Sequence, residues 1–250
     1  MKPLACLCLL ACLVGLASPS PAAEPHPTLR LTANIWEPYT GADLPRQGIA
    51  SEIVLTALAR AGYPAEISIM PWSRALASVY QGNRDGVVGV WPTAERRARL
   101  AVSDSYLSNE LFLFYVRPEL CTGNGLVADA ATRIGVGRDY DYSDAFMARY
   151  GSALKPVDRV EQNLLKLQAG RIDMVLEDKR VVEFVVARQP GTPLLTCTTQ
   201  PVLSLPLHFG LRRGYPNADG IIAAFNVQLA AMKKDGTLDA ITRLLAHPAK

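Results

Sequence analysis

GNRDGVVGVWPTAERRARLAVSDSY, residues Gly82–Tyr106, packs a turn, a short apolar strand, a tryptophan, a helix start and a cluster of arginines into one run. Val87 to Trp91 has the apolar character of a buried strand. Thr93 is placed to cap the short helix after it, and Glu95 falls in the first turn, where the helix dipole favours negative charge. Arg96, just inside that helix, can grip a carboxylate in a cleft. Its planar guanidinium matches a carboxylate bidentately, and the helix start beside it adds free N–H groups. The plainer reading is a solvated basic helix, which Arg97 and Arg99 fit.

Working outward, Leu29 to Asn34 alternates as a strand, and Trp36 to Gly41 is a loop broken by Pro38. Ile49, Ile53, Val54, Ala57, Leu58 and Ala61 share one helical face, closed by Gly62. Ile67 to Met70 is a strand, and Ser73 is expected to cap a helix carrying Leu76, Val79 and Tyr80. Leu111 to Val116 is apolar throughout, as a strand covered on both faces would be. The pattern then restarts. Thr132 to Val136 is a strand and Ser143 to Tyr150 a helix. Asp158 and Glu161 approach a capping box for a helix closed by Gly170. Ile172 to Leu176 is a strand, Val181 to Ala187 a helix, Leu205 to Leu211 a strand, and the rest is helical. This predicts an α/β fold of two lobes, the second inserted into the first. Lobe 1 takes residues 28–115 and 205–250, lobe 2 takes 116–204, and two strands cross between them. Ligands of open α/β sheets bind outside the carboxyl ends of the strands, which here is the interlobe cleft.

Composition narrows the class. The chain has 250 residues, 49% of them hydrophobic, enough for one large domain or two ordinary ones. Its net charge of +3 gives no case for nucleic acid or an anionic membrane as partner. Residues 1–23 read as a cleaved secretory signal, with Lys2 as the charged start and Leu4 to Leu16 as an apolar run too short to span a bilayer. Leu9-Leu10-Ala11-Cys12 loosely resembles a lipoprotein box, but simple secretion fits the layout better. Cys121 and Cys197 remain after cleavage, and an oxidising compartment favours a disulfide between them; two separate buried thiols are the alternative. A bridge there would close a loop of about 75 residues near the ends of the inserted lobe. No cofactor and no metal is expected: there is no C-x-x-C, and His26, His208 and His247 are far apart.

Four segments in order carry a resemblance: Trp36-Glu37-Pro38-Tyr39, Pro71-Trp72-Ser73-Arg74-Ala75-Leu76, the run Asp85 to Tyr106, and Gly170 to Asp178 (GRIDMVLED). Over nearly all of the mature chain, the sequence resembles family 3 of the bacterial extracellular solute-binding proteins, typified by periplasmic receptors for polar amino acids. The resemblance implies the type II periplasmic-binding-protein fold. It implies that Arg96 binds a ligand carboxylate, that Asp178 pairs with a ligand ammonium, and that Trp72 stacks on the ligand. Asp178 would equally serve as a helix cap, and Glu177 beside it could take its place. Tyr39 and Trp36 lie in the first loop, which also faces the cleft. Gly137 would let backbone amides approach the carboxylate, with the Arg138 and Tyr140 side chains nearby. Trp91 and Arg74 depart from the family pattern. Trp91 is far larger than the usual small polar residue, and Arg74 adds positive charge beside Trp72.

The expected function is capture of a small polar, carboxylate-bearing ligand, an amino acid or related molecule, for an ABC permease, by a periplasmic monomer. Two alternatives stand beside it. One is a periplasmic enzyme of the same fold, like cyclohexadienyl dehydratase, with Glu177 or Asp178 as general acid. The other is a receptor that presents its ligand state to a sensor.

Overall fold

The computed structural model describes residues 26–122, 125–126, 132–188, 195–196 and 199–246. The expected signal segment lies outside these residues, as does Cys197 of the proposed Cys121–Cys197 bridge. Twelve strands are defined: β1 (Leu29–Ala33), β2 (Ala65–Ile69), β3 (Gly86–Val90), β4 (Leu100–Val102), β5 (Leu107–Tyr115), β6 (Cys121–Thr122), β7 (Gly125–Leu126), β8 (Ile134–Gly137), β9 (Leu154–Val157), β10 (Met174–Asp178), β11 (Leu195–Thr196) and β12 (Leu203–Arg212). The α-helices are α1 (Ile49–Arg60), α2 (Trp72–Tyr80), α3 (Ala94–Arg99), α4 (Asp144–Tyr150), α5 (Val160–Gln168), α6 (Lys179–Arg188), α7 (Ala218–Lys234) and α8 (Thr237–Ala246).

The strands follow the order β2-β1-β3-β12-β5-β10-β8-β9, and the path divides into two lobes within β12. Leu203 to Leu207 pair antiparallel with β5, while His208 to Leu211 pair antiparallel with β3 across an irregularity between His208 and Phe209. In the first lobe β1 runs parallel to β2 and β3. In the second, β8 runs parallel to β10 and β9, and β5 antiparallel to β10. The two crossing segments are tied to each other. Ser103 N–H donates to the Phe209 carbonyl at 2.9 Å, and Tyr106 N–H to the Leu207 carbonyl at 3.1 Å.

The expected boundary at residue 115 needs correction. β5 pairs along Leu111–Phe114 with β10, so the whole strand belongs to the second lobe, and the chain crosses before it. The reason is burial: Leu111 to Tyr115 are all buried, as a central strand of the second sheet requires. Two caps differ as well. α2 begins at Trp72 after Pro71, with no side-chain cap. α5 begins at Val160 without a capping box, because Asp158 pairs with Arg138 and Glu161 with Arg159. Thr93 does cap α3, accepting the Arg96 N–H at 3.2 Å.

Apolar periodicity explains the packing. α1, α7 and α8 pack on one another, and Ile53, Leu58, Phe225 and Leu229 are buried in that core with Phe209 of β12. α5 and α6 close the second sheet, with Leu164, Leu167, Val175 and Val185 forming one buried cluster. The first helix also fixes the first loop. Its leading amides, Ile49 N–H and Ala50 N–H, donate to the Pro38 and Tyr39 carbonyls at 3.0 and 2.8 Å, so orphan donors of a helix start hold the loop in place. Gly48 makes this possible. It sits at φ 99°, and a Cβ there would lie 2.6 Å from the Tyr39 carbonyl oxygen. Gly48→Ala is therefore expected to lower unfolding free energy by about 1–3 kcal/mol, read from the denaturant midpoint. An unchanged midpoint would contradict this account of the loop.

Candidate functional site

Where the lobes meet, Asn34, Trp36, Trp72, Gly89, Trp91, Arg96 and Tyr140 surround a small cavity. Each arrives by a local cause. Asn34 follows β1, and Trp36 sits in the loop held by α1. Trp72 is the first residue of α2, and Trp91 directly follows β3. Arg96 is placed by the Thr93 cap. Tyr140 comes from the other lobe, on the loop between β8 and α4. All three tryptophans of the chain are here. The free volume is about 10 Å³, room for about one water.

Arg96 is the electrostatic centre. Its side chain is only 4% exposed. One terminal nitrogen donates to the Trp91 carbonyl at 2.8 Å; the other donates to the Asp139 carbonyl at 3.3 Å and pairs with the Asp141 carboxylate at 2.9 Å. The guanidinium also lies 5.3 Å from the Trp72 ring centroid. Burial lowers its pKa, and the Asp141 charge opposes that shift. The solvated-helix alternative thus fails for Arg96. It holds for Arg97 and Arg99, which are exposed.

Aromatic edges close the rest. The Tyr140 ring stands edge-on to Trp91, Trp36 and Trp72, at centroid distances of 5.3, 6.0 and 6.2 Å. Its hydroxyl accepts from Asn34 Nδ2 at 2.7 Å. Trp72 Nε1 donates to the Asp139 carbonyl at 3.1 Å, and Ser73 bonds the Asp139 carboxylate. Gly137 is needed here for a different reason than the one expected. A Cβ on it would come within 2.8 Å of the Tyr140 ring, and its N–H already donates to the Tyr142 hydroxyl at 3.1 Å.

Asp178 lies elsewhere. Its carboxylate accepts from the Tyr39 hydroxyl at 3.0 Å, Asn109 Nδ2 and Glu110 N–H at 3.1 Å, and Arg180 N–H at 2.9 Å. It caps α6 and ties the lobes together through Tyr39. Burial raises its pKa, and these hydrogen bonds pull the other way. Asp178 lines a separate polar groove of about 420 Å³ with Glu110, Arg180 and Glu183. Arg96 and Asp178 therefore do not share one cavity. Trp91 donates through Nε1 to Asn109 Oδ1 at 2.9 Å, which links the cavity wall to that network. Arg74 is exposed on α2, and Arg138 is exposed and paired with Asp158 at 2.7 Å; neither lines the cavity. Asn34, Asp139, Asp141 and Tyr142 were not expected. The last three have as their sequence signal the acidic–aromatic alternation Asp139-Tyr140-Asp141-Tyr142 after a strand, and Asn34 only its place at the end of the alternating stretch Leu29–Asn34.

No protein-family model matches the chain, and no curated protein matches it in sequence. Solved structures match in fold. A histidine kinase sensor domain with similarity to periplasmic binding proteins gives a TM-score of 0.76 at 20% identity, over 88% of this chain and 96% of that one. An amino acid ABC transporter substrate-binding protein from Streptococcus pneumoniae, bound to L-arginine, gives 0.72 at 20% identity, over 88% and 93%. The ancestral amino acid-binding protein AncCDT-1, a precursor of cyclohexadienyl dehydratase, gives 0.70 at 19% identity, over 86% and 93%. The chain has the two-lobed fold of the periplasmic binding proteins, as the resemblance implied.

Glu177 offers a test of the interlobe contact. It is buried, accepts from Trp36 Nε1 across the lobes at 3.2 Å, and burial pushes its pKa up to about 7. A raised carboxyl pKa favours the protonated folded state. Its support is full below about pH 4.5 and is lost as pH rises through about 7. Glu177→Gln, which cannot ionise, is expected to gain stability relative to the parent as pH goes from 5 to 8. A difference that stays constant over that range would show that Glu177 does not titrate there.

Proposed function

We propose that this protein is an extracytoplasmic solute-binding protein whose two lobes close on a small carboxylate-bearing ligand. One observation carries the reading. The nearly buried Arg96 guanidinium, held by the first lobe at the interlobe cavity, grips a carboxylate presented from the second lobe. The seat accepts a carboxylate and couples it to contact between lobes. A ligand with differential affinity for the closed state would draw the lobes together. Delivery to an ABC permease in the inner membrane, by a periplasmic monomer, is the role we propose for that capture. Its support is the fold, shared with amino-acid transporter binding proteins, together with the signal-like segment at residues 1–23. The same site would serve equally if the occupied protein were read by a membrane sensor.

Asp178 is not assigned to a ligand ammonium here, because five hydrogen-bond donors already surround it. A second reading is favoured by one observation: Glu177, a buried carboxyl with a pKa near neutrality, has the properties of a general acid. We propose that it acts instead in closure, through Trp36. Turnover of a cyclic carboxylate by the purified protein would overturn that choice.

A thermal-shift screen with amino acids, polyamines and small carboxylates tests the main reading, since a ligand specific to the native state raises the melting temperature. At least one carboxylate is expected to do so. Arg96→Gln, with its fold checked by circular dichroism, is expected to weaken that ligand by about 30-fold or more. Unchanged affinity in the variant would remove Arg96 from the site.

A further inference from the structure

Three consecutive residues of the second lobe supply most of what meets Arg96 and the tryptophans. Asp139 stands at φ 57°, and its carbonyl accepts from both Trp72 Nε1 and Arg96. Tyr140 puts a phenol ring among the three indoles, with its hydroxyl on the Asn34 amide. Asp141 puts a carboxylate on Arg96, yet its own side chain is 51% exposed. A ring bearing a hydroxyl and a neighbouring carboxylate thus fill the cleft down to about 10 Å³.

The cost of removing this unit depends on what replaces it. Withdrawing Asp141 with nothing in its place leaves a buried guanidinium without its partner, which is strongly unfavourable. Withdrawing Tyr140 leaves a ring-sized void among the indoles and an amide without its acceptor. A molecule that restores all three contacts avoids each cost. It needs a carboxylate for Arg96, a flat ring for the indole box, and a hydroxyl on the far edge of the ring for Asn34. A purely aliphatic carboxylate restores only the contact with Arg96, and a cationic phenol leaves Arg96 without its partner. The loop connects β8 to α4, and the Asp141 carboxylate, one of its two contacts with Arg96, is half in water.

We propose that the cleft takes hydroxyaryl carboxylates, a phenol joined by a short chain to a carboxylate, and that Tyr140 and Asp141 are the internal stand-in such a ligand displaces. The inference rests on the proposed function, because it places the ligand carboxylate on Arg96. Asp141 is then a specificity-determining residue that competes with the ligand. The apparent dissociation constant is the intrinsic one divided by the fraction of protein with the loop withdrawn.

The test uses the mature protein, with para-hydroxyphenylpropionate as probe and phenylpropionate, propionate and tyramine as comparators. Binding is read by calorimetry and by tryptophan fluorescence, which reports only on this cleft. The probe is expected to bind, phenylpropionate about tenfold more weakly, and propionate and tyramine not measurably. Asp141→Asn is expected to tighten the probe by about tenfold by removing the charged competitor. The inference is overturned if the probe binds neither the parent nor Asp141→Asn, if tyramine binds as well as the probe, or if Asp141→Asn leaves affinity unchanged or weaker. Should an amino acid bind in an Arg96-dependent way while the probe does not, only this inference falls. Probe binding that survives Arg96→Gln would instead sink the assignment of Arg96.

Discussion

A guanidinium with 4% of its surface left in water has lost most of its hydration, and that loss must be made good by fixed partners. The fold supplies them from both lobes. From the first come the Trp91 carbonyl and the Trp72 ring face; from the second come the Asp139 carbonyl and the Asp141 carboxylate. Arg96 can occupy that point only because Thr93 starts α3 there, directly after β3. β3 in turn is held between β1 and the distal half of β12. The demand of one buried charge thus reaches the centre of the first sheet, and its satisfaction requires the second lobe to be in contact.

The other interlobe contacts differ in weight. Glu37 and Arg188 meet at 2.6 Å, but Arg188 is half exposed, and such surface pairs contribute little. The Trp36–Glu177 and Tyr39–Asp178 hydrogen bonds are buried, so loss of either partner leaves an unsatisfied polar group. Both start from the Trp36–Tyr39 loop, which helix α1 pins. The first loop is thereby the main buried tie between lobes on its side of the cleft, and the β8–α4 loop is the tie on the other.

Much of this was legible in the sequence where local rules decide. Trp91, Thr93 and Arg96 form the residue after a strand, a cap and a helix start, and the structure puts Trp91 and Arg96 at the cavity with Trp36 and Trp72. Asp178 was legible as a residue but not as a saturated one, because its donors include Tyr39 and Asn109 from distant parts of the chain. The loop Asp139–Tyr142 is legible only through Gly137 and Tyr140, which the resemblance sets near a ligand carboxylate. Its role depends on how two sheets are set against each other by the crossing strands, and no periodicity encodes that. β9 is silent in the sequence for a simpler reason: it is an edge strand containing Pro156, with Lys155 exposed, so it lacks an apolar signature. The first half of β5 lacks an apolar signature because it carries Ser108, Asn109 and Glu110, the polar residues that serve the polar groove and the Asp178 network.

β12 is a single strand that completes both sheets, and α7 and α8, which follow it, cover α1 near the start of the chain. The second lobe is a nearly contiguous stretch bounded by Leu107 and Leu207, whereas the first joins residues from both ends. The order of synthesis is therefore opposed to the order of assembly. β1, β2 and β3 are made first but present an unpaired β3 edge and an uncovered α1 until residues beyond His208 exist. The lobe that begins the chain is the last to close its core, and a chain cut short before β12 would expose a sheet edge and an apolar helix face together.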